Sequence, residues 1–237
     1  IIKETIMIKN VFITGANRGI GLELTRQYLA AGHKVFASAR DPSTEGLSQL
    51  IDRYPNNLKT VVLDVTDESN IQIVVDSLEG TSIDLLINNA GLFHSKHEDF
   101  SSLNADTWIE EFRVNSISPF LVTRALKSNL ESANSGVVGM ISSKMGSMGD
   151  NQSGGSYSYR SSKAALNAVS VSLANDLSAL DISVVALHPG WVQTDMGGPN
   201  GLIDVETSAS GLKAILDKAG KAESGKFYDY SGKQLPW

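Results

Sequence analysis

The sequence predicts a single α/β domain built on a doubly wound, parallel, seven-stranded sheet with helices on both faces. Three observations carry that prediction. Short β-rich apolar runs alternate with longer stretches of helical period from one end of the chain to the other. The runs lack polar alternation, as strands covered on both faces do. The first run passes through a glycine-rich turn directly into a helix, which is how such sheets begin. At 237 residues, with 41% apolar residues, the chain can bury one large shared core.

In chain order, the strands are expected at Asn10 to Thr14, Lys34 to Ala39, Lys59 to Val65, Asp84 to Asn88, Gly136 to Ser142, Ile182 to His188 and Lys226 to Tyr230. The helices between them are expected at about Gly19 to Ala31, Leu47 to Tyr54, Asp67 to Leu78, Asp106 to Ser132 with an internal break, Tyr157 to Ser178 and Ser208 to Ala219. Their charged residues collect on outward faces. Asp41-Pro42 reads as a turn or helix-start device. No linker or repeat divides the chain, so one domain is read from 7 to 237, with residues 1–6 an upstream extension or expression remnant that adds little to the fold. Two stretches without regular pattern, Gly146 to Ser156 and Asp195 to Asp204, have the length of functional loops.

Composition removes several classes of function. The charged residues, 20 basic and 26 acidic, leave a net charge of −6 with no run of basic residues, so no field gathers the phosphates of nucleic acid. The absence of cysteine excludes a disulfide framework, thiol catalysis and thiolate metal sites, and is consistent with a reducing cytoplasm. Ile1 to Val11 is apolar only in patches, broken by Lys3, Glu4 and Lys9, and matches neither a signal peptide nor a membrane span. A soluble cytoplasmic protein is expected. His94 and His97 stand three apart without a convincing carboxylate constellation, so no metal site is expected.

Two motifs carry chemistry. In Thr14-Gly15-Ala16-Asn17-Arg18-Gly19-Ile20-Gly21 the glycines let backbone bend tightly and approach an anion, while the free N–H groups and positive end of the following helix face it. Read alone, the turn is also compatible with an ordinary glycine-rich βα connection. Tyr159 and Lys163, four apart, lie on one face of the same helix, which sets an ammonium beside a phenol and predicts that it stabilises the phenolate. Tyr157 is a decoy, because four residues on it meets Ser161 and no cation.

The Gly-x-x-x-Gly-x-Gly turn, Asn88-Asn89-Ala90-Gly91, Asn115, Ser142-Ser143, Tyr159-x-x-x-Lys163 and Pro189-Gly190 occur in the order in which the short-chain dehydrogenase/reductase family carries them. The chain resembles that family along its whole length. His188 to Met196, Tyr159 to Asn167 and the ending Leu235-Pro236-Trp237 resemble its sniffer-type carbonyl reductases and C-factor proteins. The resemblance implies a Rossmann-like strand order and a catalytic set of Asn115, Ser143, Tyr159 and Lys163. In that set Tyr159 donates a proton to a carbonyl oxygen, Ser143 orients the carbonyl, and Lys163 lowers the tyrosine pKa and binds the nicotinamide ribose. Asn115 is implied to hold a helix break and a water linking Lys163 to solvent. Strand alternation turns only one of the adjacent serines inward, and the family match favours Ser143 over Ser142.

The implied dinucleotide site comprises Gly15, Asn17, Arg18, Gly19, Ile20 and Gly21 in the turn, with Asp64 and Val65 beside the adenine. Asn88, Ala90 and Gly91 wall the ribose; Pro189, Gly190, Val192, Thr194 and Met196 lie near the nicotinamide. Asp64 also reads as a cap for the helix near Asp67. Ala39 and Arg40 at the end of the second strand replace the acid that would accept ribose hydroxyls, and Arg18 adds a second guanidinium, so NADP(H) is expected over NAD(H). Phe93, His94, Met145 and Trp191 are the expected substrate-lining residues. The function expected is NADPH-dependent reduction of aldehydes or ketones. Reduction of 3-oxoacyl chains, oxidation of secondary alcohols and a dinucleotide-binding signalling role remain as alternatives. Small and apolar residues spread around the helix of Ala164, Ala165, Ala168, Val169 and Val171 suggest a second packing face, and with the family's two-fold interface this leads to an expected homodimer, with a tetramer as the larger alternative.

Overall fold

The computed structural model describes residues 8–97 and 100–237; the expected extension at 1–6 lies outside the described residues. Seven strands, β1 Asn10–Thr14, β2 Lys34–Ala39, β3 Leu58–Val62, β4 Leu85–Asn88, β5 Val137–Ile141, β6 Ser183–His188 and β7 Phe227–Asp229, form one sheet. Every pairing between them is parallel, in the order β3-β2-β1-β4-β5-β6-β7. The order reverses between β1 and β4, so the carboxyl ends of these two strands leave a crevice between their following loops.

The helices are α1 Gly19–Ala30, α2 Glu45–Arg53, α3 Glu68–Asp76, α4 Ala105–Phe112, α5 Ser118–Ala125, α6 Lys127–Glu131, α7 Tyr157–Asp176 and α8 Val205–Lys218. Alternate residues of a strand feed opposite cores. Val11, Ile13, Leu85 and Ile87 pack with Leu24, Leu47 and Leu212 on one face. Phe12, Leu86, Val138 and Met140 pack with Leu126, Leu166 and Leu173 on the other. Both faces are therefore buried, which explains why the strands read as unbroken apolar runs. Each such side chain contributes about 1.5–3 kcal/mol through burial.

Where element limits differ from expectation, polar side chains set them. β3 stops at Val62 because Asp64 turns the chain, accepting hydrogen bonds from the Thr66 N–H at 2.9 Å and its hydroxyl at 2.7 Å. Asp67, not Asp64, caps α3, taking the N–H groups of Ser69 and Asn70. Asp204 accepts from the Thr207 N–H at 2.7 Å and starts α8 three residues earlier than Ser208. The long helix expected from Asp106 to Ser132 is three helices. α4 and α5 are joined through a π-helical turn at Arg113–Ile117, and α6 starts anew after Leu126. A 3₁₀ turn at His94–His97, not anticipated, precedes them. No helix among the described residues is long and apolar enough to cross a membrane.

His188, at the end of β6, is half-buried, and its Nδ1 atom is enclosed and unpartnered. Burial, aided by the Lys144 ammonium, lowers its pKa from 6.5 to about 4, against the pull of Asp229. The unfolded chain binds a proton through this window that the folded chain refuses, so acid favours unfolding. The stability lost through this group between pH 7 and pH 5 is about 2 kcal/mol. His188→Gln is expected to flatten the fall in melting temperature over that range; parallel falls in both proteins would refute the assignment.

Candidate active site

The loops after β1 and β4 are locked together before any ligand is considered. The Thr14 hydroxyl accepts from the N–H groups of Asn89 and Ala90, both at 2.9 Å. In return the Asn89 amide donates to the carbonyls of Thr14 at 2.9 Å and Gly15 at 3.0 Å. Gly15 holds φ +64°, and a Cβ there would stand 3.0 Å from the Ala90 Cα. Gly21 packs closer still, with a Cβ falling 2.3 Å from the Gly15 carbonyl oxygen. α1 then begins with no side chain capping it and no acid in its first turn, so its leading N–H groups face the cleft uncompensated.

That cleft, of about 760 Å³, is lined by the glycine turn with Asn17, Arg18 and Ile20, by Arg40, Asp64 and Val65, and by Asn89, Ala90 and Gly91. Tyr159, Lys163, Pro189, Thr194 and Met196 complete its far side. Asn88 turns away: it is buried, donating to the Thr123 hydroxyl at 3.0 Å, and Asn89 occupies the wall expected of it. This follows from register, since Asn88 is the last strand residue and Asn89 the first of the loop. Gly190 is half-buried and Val192 is buried; neither is among the lining residues. Arg40 is exposed at the end of β2, and its charge helps hold the Asp64 carboxyl low, behind the larger effect of the Thr66 bonds. Arg18 bonds to Asp195 at 2.7 Å, an exposed pair that ties the glycine turn to the loop after β6.

At the floor of the cleft, α7 presents Tyr159 and Lys163, respectively 7% and 5% exposed. Ser143 stands near enough to the phenol to lower its pKa, and its Oγ accepts from the Met145 N–H at 3.1 Å. Ser142 points elsewhere, donating to Asn167 Oδ1 at 2.6 Å. Tyr157 lies outside, its ring edge against Phe100. Lys163 Nζ donates to the Ile141 carbonyl at 2.9 Å and stands 5.9 Å from the centre of the Tyr159 ring. Asn115, fully buried in the π turn, accepts from the Leu92 N–H and donates to the Leu92 carbonyl, both at 2.9 Å. Its amide also reaches the Ser162 hydroxyl at 3.0 Å.

The expected lowering of the tyrosine pKa does not occur. Burial pushes the phenol up to about 12, Ser143 opposes that rise, and the Glu111 carboxylate adds to it. Burial is the largest cause at the phenol. Burial likewise lowers Lys163 to about 8, with Glu111 pulling it back up. At neutral pH the phenol is protonated and the amine carries its charge in most molecules.

Of the expected substrate-lining residues, His94 borders the cleft and bonds to Glu110 at 3.0 Å. Phe93 lies on the Tyr159 ring, centres 4.1 Å apart. Met145 is half-buried after Ser143, and Trp191 is half exposed, spending its indole N–H on the Gly197 carbonyl at 2.8 Å as a wedge within its own loop. Asn89 and Glu111 are the participants that reading the sequence missed. Glu111 had a signal, since it precedes Asn115 by one helical turn on the same face.

The short chain dehydrogenase family model matches residues 9–201. The chain belongs to this family. Among curated relatives of this dehydrogenase, the C-signal protein of Myxococcus xanthus is 38% identical over 155 residues, covering 65% of this chain and 93% of the relative. An NADPH-bound carbonyl reductase from chicken fatty liver superimposes with a TM-score of 0.91 at 34% identity, covering 98% of this chain and 100% of that one. The carbonyl reductase Sniffer of D. melanogaster gives 0.91 at 29% identity, with the same coverage of 98% and 100%. The similarity to the sniffer-type carbonyl reductases thus extends over 98% of the chain, and that to the C-signal protein over 65%.

Proposed function

We propose that this dehydrogenase is an NADPH-dependent reductase of aldehydes or ketones. The observation that carries the reading is that Tyr159 and Lys163, with Ser143 acting on the phenol behind them, line a cleft that opens at the β1–β4 reversal. The residues fit a nicotinamide dinucleotide: uncapped N–H groups of α1 for the pyrophosphate, Arg40 for a 2′-phosphate, and Lys163 for ribose hydroxyls. Once bound, the nicotinamide supplies the hydride that the carbonyl carbon receives. Ser143 and Tyr159 hold the carbonyl oxygen by hydrogen bonds, and the phenol proton passes to that oxygen as it gains charge. A phenol at about 12 is suited to this direction. It keeps its proton at neutral pH, and a developing alkoxide is a stronger base than the phenolate left behind. The Lys163 ammonium then stabilises that phenolate electrostatically. Alcohol oxidation would need the phenolate at the outset, which this burial disfavours. A purely signalling dinucleotide sensor has no use for the three groups together.

The reading is tested by following NADPH and NADH consumption with a panel of carbonyl compounds. NADPH is expected to be preferred at least about tenfold in kcat/KM, because a guanidinium–phosphate pair contributes about 1.5–3 kcal/mol. Arg40→Asp is expected to erase or invert that preference; equal use of both cofactors by the unaltered protein would defeat it.

Assembly belongs to the same proposal. Trp108, Ile109, Ile117 and Phe120 are between 37% and 65% exposed along α4 and α5, beside a groove of about 700 Å³. A second copy of the chain is proposed to cover this face about a two-fold axis. Light scattering is expected to give at least twice 25.4 kDa, and a mass of 25.4 kDa at micromolar concentration would exclude it.

A further inference from the structure

Glu111 is a carboxylate with no exposed surface, and it forms no ion pair among the described residues. A buried charge is costly unless its oxygens are satisfied. Both oxygens of Glu111 are spent on one residue: it accepts from the Ser95 N–H at 2.8 Å and from the Ser95 hydroxyl at 2.9 and 3.1 Å. One helical turn further on, Asn115 grips both the N–H and the carbonyl of Leu92. Two side chains from the same helical face therefore pin the backbone on either side of Phe93. The Phe93 ring lies over Tyr159 with centres 4.1 Å apart and planes 21° apart. His94, the other residue between the pins, takes no part in the stack and pairs outward with Glu110.

We propose that Glu111 is a positioning residue: through Ser95 it fixes the turn that lays Phe93 flat on the Tyr159 ring, and so holds the phenol in the attitude at which it meets Ser143. This rests on Tyr159 as the proton donor. A misplacement of about 1 Å at a reacting group can cost on the order of a hundredfold in rate, so a loosened ring is expected to show in turnover.

The test has a structural arm and a kinetic arm. The protein is labelled with ring-¹³C tyrosine, the Tyr159 signal is assigned by its loss in Tyr159→Phe, and its ring-current displacement by Phe93 is read directly. Glu111→Ala is expected to abolish that displacement and to lower kcat at least about tenfold with KM changed less than about threefold, since ring orientation acts on the chemical step. Glu111→Gln, whose amide can accept from the Ser95 N–H and donate to its hydroxyl, is expected to restore both. Phe93→Leu is expected to reproduce the kinetic loss, and the Glu111→Ala, Phe93→Leu double variant to be no worse than either single one. Should Glu111→Ala not fold, Ser95→Ala, which removes the hydroxyl bond alone, is expected to move the same signal. An unmoved signal in either variant, losses that multiply in the double variant, or a Gln variant as impaired as the Ala variant would overturn the proposal. A signal that moves as expected in a protein that reduces no carbonyl would leave the clamp standing and defeat the reductase reading.

Discussion

Tyr159→Phe is expected to lower kcat by about a thousandfold, the middle of the range for loss of a positioned general acid, while leaving NADPH affinity within about twofold. The hydroxyl is the only atom removed. The Phe93 stack is retained by the substituted ring, and Lys163 keeps its bond to the Ile141 carbonyl. Stability is expected to change little, because the ring and its stack on Phe93 remain. Single-turnover measurements with saturating NADPH separate the chemical step from binding. A variant that retains the full kcat would remove Tyr159 from the mechanism.

Gly21→Ala is expected to damage both the fold and the dinucleotide site. The added carbon would fall 2.3 Å from the Gly15 carbonyl oxygen and 2.5 Å from the Asn89 amide nitrogen. Neither neighbour is free to yield. The oxygen is backbone, and the amide holds the loop after β4 against the glycine turn. Overpacking of this kind costs about 1–3 kcal/mol, and relieving it requires opening the turn whose N–H groups are to face the pyrophosphate. We therefore expect a lower melting temperature and a dinucleotide Kd raised at least about a hundredfold by calorimetry, the loss of roughly two charge-assisted hydrogen bonds. Gly220→Ala supplies the control, since its Cβ would approach only Glu223 Oε2, at 3.9 Å. An unchanged Kd and melting temperature in Gly21→Ala would mean that the turn is looser than its packing implies.

The sheet was legible from the sequence because its inner strands β1, β4, β5 and β6 are buried on both faces, so burial and β-propensity agree there, while the edge strand β3 leaves Lys59 and Val62 exposed. The pairing of Tyr159 with Lys163 was legible because it depends on spacing within one helix. What escaped depended on contacts that no local pattern encodes. Arg18, expected to serve a phosphate, meets Asp195 across 177 positions of sequence. Asn88 and Asn89 differ in role through the single residue at which β4 ends. Glu111 could be placed on the Asn115 face, but its partner Ser95 follows from the 3₁₀ turn, which leaves no periodic trace in so few residues. The raised tyrosine pKa escaped for a similar reason, since spacing brings the ammonium near but does not say how deeply the fold buries the phenol.

The π turn at Arg113–Ile117 constrains how this gene can change. It is a helix carrying one residue more than its pitch accommodates, with the Arg113 carbonyl met by the Ser118 hydroxyl at 2.7 Å. That surplus residue offsets everything after it by about 100° around the axis. Glu111 and Asn115 can thus hold the loop after β4 while Val122, further along, enters the core. Removing any one residue would regularise the helix and improve its local hydrogen bonding, yet it would turn either the site or the core side chains out of place. Apart from Asn115, identity can drift here; length cannot. Single-codon deletions across 113–117 should accordingly be purged from a mutational library more severely than most substitutions at the same five positions.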